Sequence, residues 1–267
     1  MASIHPSAIV EDGAVLGADV AIGPFCHVGA QAVLGDGVEL KSHAVVAGAT
    51  TIGAGTVIFP FASVGHQAQD LKYRGEQATV SIGSSCIIRE GVTINAGTQG
   101  GGGKTVIGDR CAFLANSHVG HDSILGNDII LSNNVMIAGH VTVQDHVIFG
   151  GGSAVIQFTR VGAHAFVGGL AGLENDLIPF GMVTGNRARL GGLNLVGLKR
   201  RGFPREQIHA LRGAYRALFE SEEGTLRQRA EDARKAYPQE PLVQQLTDFI
   251  LVEEDRRFCT PKYGLDQ

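Results

Sequence analysis

Aliphatic residues recur at every sixth position from the start of the chain: Ile4, Val10, Leu16, Ile22, Val28, Leu34, Leu40, Val46, Ile52, Ile58 and Val64. After an interval of 18 residues the series resumes in phase at Ile82, Ile88 and Ile94, slips once at a glycine run, and continues from Ile107 to Leu173. Four residues after each anchor stands a smaller one, as at Ala8, Ala14, Val20, Cys26, Ala32, Val38, Ala44, Thr50 and Thr56. A period of six fits neither the 3.6 of a helix nor a long alternating strand. It predicts a short strand, a corner and another short strand, with one large and one small residue turned inward on each side. Three such sides close a triangular coil of 18 residues, and stacked coils form a parallel β-solenoid. Each coil then advances by about 4.8 Å, the spacing of neighbouring strands.

The pattern changes near residue 186. Glycine falls from 31 in the first 186 residues to 7 in the last 81, and the Lys/Arg to Asp/Glu balance turns from 7 against 14 to 15 against 12. The expected organisation is an all-β solenoid over 1–186 followed by a small α-helical domain over 187–267. Pro204 suits a first helical turn, with Ile208, Leu211, Tyr215 and Leu218 following at helical spacing, and Leu242, Leu246, Phe249 and Ile250 form a second stripe. The hydrophobic share of 44% supports a sizeable core, and the net charge of −4 argues against a general nucleic-acid binder. No stretch approaches the roughly 20 apolar residues of a membrane span. Met1–Pro6 lacks the basic flank and apolar run of a signal peptide. Cys26, Cys86 and Cys111 fall on the small inward position and Cys259 is remote, so the thiols read as core filler in a reducing cytoplasm.

Two segments break the repeat: Gly65–Val80, and Gly100–Gly103 followed by Lys104-Thr105. A phosphate loop, GxxxxGK(S/T), would need glycine where Thr98 stands, and no helix pattern follows. His43, His146 and His164 fall on outward corners, where a solvated polar residue is the plain expectation. His118 and His121 differ, because they flank one corner in Asn-Ser-His-Val-Gly-His-Asp, 116–122. His140 lies 18 residues after Asp122 and therefore one coil up on the same edge. A base, an adjacent carboxylate and a third polar group converge there within about 5 Å of axial rise. A zinc site like that of the γ-type carbonic anhydrases is disfavoured by the three-residue His spacing, and no metal or cofactor is expected.

Hexads of this kind resemble the hexapeptide-repeat acyltransferases, whose solenoid is a left-handed parallel β-helix. More specific stretches are Gln69–Tyr73, Gly100–Thr105, His118–Asp122, Ala138–Val141, Ile156–Phe158, Gly185-Asn186 and Asn194–Phe203 with its GLKRRGF run. Together they resemble the UDP-N-acetylglucosamine O-acyltransferases, which open lipid A synthesis, over essentially the whole chain. The resemblance implies a homotrimer with clefts between subunits, transferring a 3-hydroxyacyl chain from acyl carrier protein to the sugar 3-hydroxyl of UDP-N-acetylglucosamine. It makes His121 the general base, Asp122 the carboxylate that orients it, and the Gly139 N–H the oxyanion donor. His118, His140 and Gln157 would line the cleft, Asp70 and Lys72 would meet acceptor and acyl groups, and Asn194, Arg200 and Arg201 the nucleotide and its phosphates. Gly169 would close the end of the acyl groove. Independently, the eight Lys/Arg and one acid between Arg187 and Arg216 suit an acidic partner such as the carrier protein.

Val196, Arg187 and the pair Asn95-Ala96 stand where this family carries, respectively, an acid, a histidine and a His-Arg pair. The loss of cationic groups at Asn95-Ala96 raises a 3-amino sugar as an alternative acceptor. A second alternative is the N-acyltransferase that acts later in the same pathway, although its usual N-terminal domain has no counterpart before Ile4. A purely structural solenoid would need neither the two interruptions nor the His-Asp corner.

Overall fold

Two-residue strands alternate with corners, and strands one coil apart pair in parallel register, Ile22 beside Leu40 and Leu131 beside Phe149. The computed structural model describes residues 2–221, 223–252 and 256–261. Among these the strands form sheets of 11, 9 and 8 members, and successive strands visit the three sheets in turn, so the chain winds as a three-sided prism. Every hexad anchor from Ile22 to Leu173 is buried, whereas Ile4 in the first coil stays 45% exposed. Cys26, Cys86 and Cys111 fill the small inward positions as buried free thiols.

Turning the chain through each corner demands a left-handed residue. Asp122, His140 and Phe158 stack along one edge with φ of 60°, 60° and 66°. Phe25, His43 and Phe61 stack along a second edge, and Asp128, His146, His164 and Phe180 along the third, all at positive φ. A non-glycine residue there costs about 1–2 kcal/mol, and hydrogen bonds between coils hold it, as where the His140 N–H donates to the His121 carbonyl at 2.9 Å.

The two interruptions lie side by side. Strand Ser63–His66 leads into the excursion 67–78, which returns through Thr79–Ile82, a strand paired with Ala49–Ile52 on one side and Lys104–Ile107 on the other. The Thr79 N–H donates to the Gly103 carbonyl at 2.9 Å, so the excursion and the glycine run are stitched together. The 11-stranded sheet ends in an antiparallel hairpin, Gly181–Thr184 with Arg189–Leu193. Four helices follow among the described residues: α1 (Leu195–Arg200), α2 (Arg205–Phe219), α3 (Leu226–Ala236) and α4 (Pro241–Leu251). Pro204 immediately precedes α2 instead of lying in its first turn. The apolar stripes missed α3, whose signal is the reciprocal cap between Thr225 and Gln228. Segment 256–261 returns to the solenoid, where the Arg160 and Arg256 guanidinium groups bracket the buried Asp176 at 2.7 and 3.2 Å. No helix among the described residues is long and apolar enough to cross a membrane.

Of the corner histidines, His43 is exposed as expected, whereas His164 is half-buried. His43 lies between the Phe25 and Phe61 rings, 5.0 Å from each. His164 stacks between His146 and Phe180 and meets Phe203 edge-on, because the helical domain docks on that edge. Burial, with help from the charges of His146 and Arg201, pushes its pKa down to about 4. An unfolded histidine titrates near 6.5, so the unfolded chain binds more protons between those values. The contribution is therefore present in full above about pH 6.5 and lost as pH falls toward 4. Replacing His164 with Phe should flatten the fall of melting temperature over that window, removing an uptake on unfolding of up to about one proton. Parallel curves for parent and variant would contradict this account.

Candidate active site

Strand His118–Val119 ends at Gly120, and the corner that follows is His121-Asp122. Both corner side chains are almost fully buried, at 6% and 0% exposure. The glycine run explains how a carboxylate fits there. A Cβ at Gly101 would lie 2.1 Å from Asp122 Cγ, and one at Gly97 would lie 2.7 Å from its Oδ1. With no side chains in the way, Thr98 closes over Asp122. Its Oγ1 donates to Oδ2 at 2.7 Å, and its backbone N–H reaches Oδ1 and Oδ2 at 2.9 and 3.0 Å. Thr105 Oγ1 in turn accepts the Asp122 N–H at 2.9 Å.

His121 Nδ1 lies 2.9 Å from Asp122 Oδ2. A carboxylate in that position accepts the Nδ1 proton and leaves the Nε2 lone pair as the basic one. Burial alone would push the Asp122 carboxyl up, but the Thr98 and His121 hydrogen bonds and the charge of His140 hold it below the usual range. His140 meets the His121 ring edge-on at 5.0 Å and stacks on Phe158 at 4.5 Å. Its pKa is lowered by desolvation, against the opposing pull of Asp122 and of Asp70 from the inserted loop. His118, one strand earlier, shares a 2.7 Å hydrogen bond with Thr93 Oγ1 and is likewise lowered by desolvation, then by His121.

Gly139 packs flat against the base. A Cβ there would fall 2.6 Å from His121 Cε1 and 2.7 Å from Nε2. Its carbonyl accepts the Phe158 N–H, whereas its own N–H has no acceptor among the described residues. This corner therefore offers a buried imidazole bonded to a carboxylate, and beside it a backbone donor with no acceptor among the described residues. The donor atoms of His121, Asp122 and His140 lie within 4.8 Å of one another, a grouping that could bring a cation together. The Asp122 oxygens, however, already accept from Thr98 and His121.

The other expected residues lie elsewhere on the prism. Gln157 is exposed beside Phe158, one coil above Gly139. Asp70 and Lys72 sit on the inserted loop, where the Lys72 N–H donates to the Asp70 side chain at 2.8 Å. Asn194 starts α1, its Oδ1 accepting the Gly197 N–H and its Nδ2 donating to the His164 carbonyl, so its amide ties α1 to the third edge. Arg201 reaches the His146 carbonyl on that same edge, and the exposed Arg200 lines an apolar groove of about 540 Å³ with Val196 and Met182. Gly169 is exposed on the edge that carries Leu170, across the 9-stranded sheet from Gly139. Asn95 and Ala96 are buried at the base of the inserted loop, where the Asn95 amide donates to the Gln67 carbonyl at 2.7 Å. Sequence reasoning missed Thr98 and Thr105, whose only signal was their place at either end of the glycine run. It also gave no part to the ring of Phe158, which follows His140 by one coil.

Residues 13–48 match the bacterial transferase hexapeptide family (six repeats), and residues 176–259 match domain 2 of the Udp N-acetylglucosamine O-acyltransferase family. The acyl-(acyl-carrier-protein)–UDP-N-acetylglucosamine O-acyltransferase of Rhizobium johnstonii is 52% identical over 263 residues, covering 98% of this chain and 96% of that protein. The protein of the same name from Sinorhizobium fredii is 54% identical, with coverage of 98% and 97%. Among solved structures, LpxA from Acinetobacter baumannii superposes with a TM-score of 0.91 at 38% identity, covering 97% of this chain and 99% of that one. The solenoid is accordingly a left-handed parallel β-helix followed by a helical domain.

The contact between Gly139 and the imidazole has a direct readout. Gly139→Ala should push the His121 ring off Asp122 and abolish the downfield Nδ1–H proton resonance that such a bond gives, with the circular dichroism of the solenoid unchanged. A retained resonance in Gly139→Ala would refute the contact.

Proposed function

The chain belongs to the UDP-N-acetylglucosamine O-acyltransferase family, and from that premise we propose that His121 is the general base of its reaction. The reaction is transfer of a 3-hydroxyacyl chain from acyl carrier protein to the 3-position of UDP-N-acetylglucosamine, the first step of lipid A biosynthesis. The observation that carries the assignment is the buried His121–Asp122 pair lying against Gly139. The sugar 3-hydroxyl oxygen attacks the thioester carbonyl while His121 Nε2 takes its proton. Asp122 fixes the ring's orientation and balances the imidazolium that forms, a role general to such pairs. The tetrahedral oxyanion accepts a hydrogen bond from the Gly139 N–H, a type of contact worth about 10²–10³ in rate where it has been removed from other enzymes. Collapse expels the carrier's thiolate, which recovers the proton from His121, leaving the ester and the free thiol.

A homotrimer completes this reading. Within one chain the expected site residues fall on three different edges, with His121 and Gly139 on one, Gly169 on the second, and Arg200 and Arg201 by the third. A cleft between two copies would bring an edge of one against a face of the next. The exposed apolar side chains Met136, Ile156 and Phe158 around His140 suit such a partner surface. Gln157, Asp70 and Lys72 would then line the cleft beside His118 and His140, with Arg200 and Arg201 toward the nucleotide phosphates. The acidic carrier protein would be drawn to α2, where Arg205, Arg212 and Arg216 outnumber Glu206 and Glu240 around a groove of about 610 Å³. The cytoplasm is the proposed site of action, in keeping with four free buried cysteines.

The assay is acyl transfer from 3-hydroxyacyl carrier proteins to UDP-N-acetylglucosamine. His121→Ala should lower turnover by at least about 10² while circular dichroism still shows the folded solenoid, and near-normal turnover would sink the base assignment. At Gly169 a new Cβ meets nothing closer than the Gly151 carbonyl oxygen at 3.4 Å, so a larger side chain fits without backbone movement. Gly169→Met should therefore shift preference toward shorter donors, by about 0.8 kcal/mol for each methylene excluded. An unaltered length profile would remove Gly169 from the acyl groove.

A further inference from the structure

We propose that Thr98 is a positioning residue for catalysis, fixing Asp122 and through it the His121 imidazole. The inference rests on His121 being the base.

Asp122 is the last polar link to the base, and Thr98 supplies most of what holds it. The Thr98 hydroxyl and backbone N–H together make three short contacts with the two carboxylate oxygens, at 2.7, 2.9 and 3.0 Å. The remaining short contact is the one to His121 itself. Thr98 is buried, at 7% exposure, so water does not compete for the same oxygens. In such surroundings a lost hydrogen bond is not replaced, and a carboxylate freed on one side can rotate away from the imidazole.

The clamp is built by the glycine run, which explains why the repeat breaks at that point. Gly97 and Gly101 flank Thr98, and each would collide with the Asp122 carboxylate if it carried a Cβ. The Gly101 and Gly103 N–H groups both donate to the Thr98 carbonyl, at 3.0 and 2.8 Å, so the segment curls back on Thr98 and fixes its orientation. The same segment is bonded to the inserted loop through Thr79 N–H to the Gly103 carbonyl, and the Gln99 N–H faces Glu76 at 3.5 Å. The loop that carries Asp70 and Lys72 is thus one step from the residue that aims the base.

Two substitutions separate positioning from packing. Thr98→Val keeps the shape and the backbone N–H but removes the hydroxyl, and Thr98→Ser keeps the hydroxyl and removes the methyl. For the valine protein, kcat should fall about 10- to 100-fold while the KM values for both substrates stay within about threefold, the pattern of an interaction that matters in the transition state. Thr98→Ser should recover to within about threefold of the parent kcat, and all three proteins should melt within a few degrees of one another. A valine variant with parental kcat would overturn the inference, as would a serine variant as impaired as valine, since the methyl would then be what matters. His121→Ala assayed in parallel distinguishes the two levels. If it is inactive while Thr98→Val is normal, only the positioning role fails. If it is active, the base assignment fails and takes this inference with it.

Discussion

The in-register stacking of successive coils, most of them 18 residues long, is the constraint on which the rest of the molecule depends. Each two-residue strand is too short to be stable alone, so each coil is held by backbone hydrogen bonds and by anchors that meet their equivalents above and below. In-register stacking also compels the corners to repeat. Asp122, His140 and Phe158 are left-handed because the coil turns there, whatever side chain the position carries. The strain of about 1–2 kcal/mol at each corner is imposed by two neighbouring coils, and that is the condition under which strain persists in a native state.

Chemistry is built on one of these edges because stacking makes an edge a ruler. Residues 18 apart are brought one above another without any loop having to be folded for the purpose. His121-Asp122 lies directly below Gly139-His140, and the latter below Gln157-Phe158. His121 is therefore mounted on a corner of the regularly stacked coils. Its electrostatic partner is mounted differently. Asp122 is secured by Thr98, from a segment where the repeat is broken and the backbone departs from the prism. The stacked coil sets the position of His121, and the irregular segment supplies the hydrogen bonds that hold the Asp122 carboxylate beside it.

The helical domain is tied to the solenoid by polar groups at defined points. Asn194 and Arg201 bind backbone carbonyls of His164 and His146, and Asp176 gathers Arg160 and Arg256. These tethers carry α1, with Arg200 and Val196, along an edge other than the one that holds His121. The arrangement suits the proposed cleft between copies of the chain, since neither edge by itself holds both His121 and the cationic Arg200 and Arg201.

The six-residue period by itself determined the solenoid, the inward positions of its anchors and of three cysteines, and the placing of His140 one coil above Asp122. It could do so because the period fixes both the direction of each side chain and its neighbour in the next coil. The glycine run announced itself as an interruption, but its purpose lay in contacts between Thr98, Gly101 and Asp122, residues more than 20 positions apart across a phase slip that the repeat does not encode. The corner histidines were legible as corner residues, yet the burial of His164 depended on where the helical domain docks. Helix α3 escaped the apolar periodicity because its buried residues are the small Ala230 and Ala233, and only its cap marks its start. Hexad position is local and repeats, so the chain carries it in plain view. Which segment leans on which edge is decided once, by packing, and only the tertiary structure holds that information.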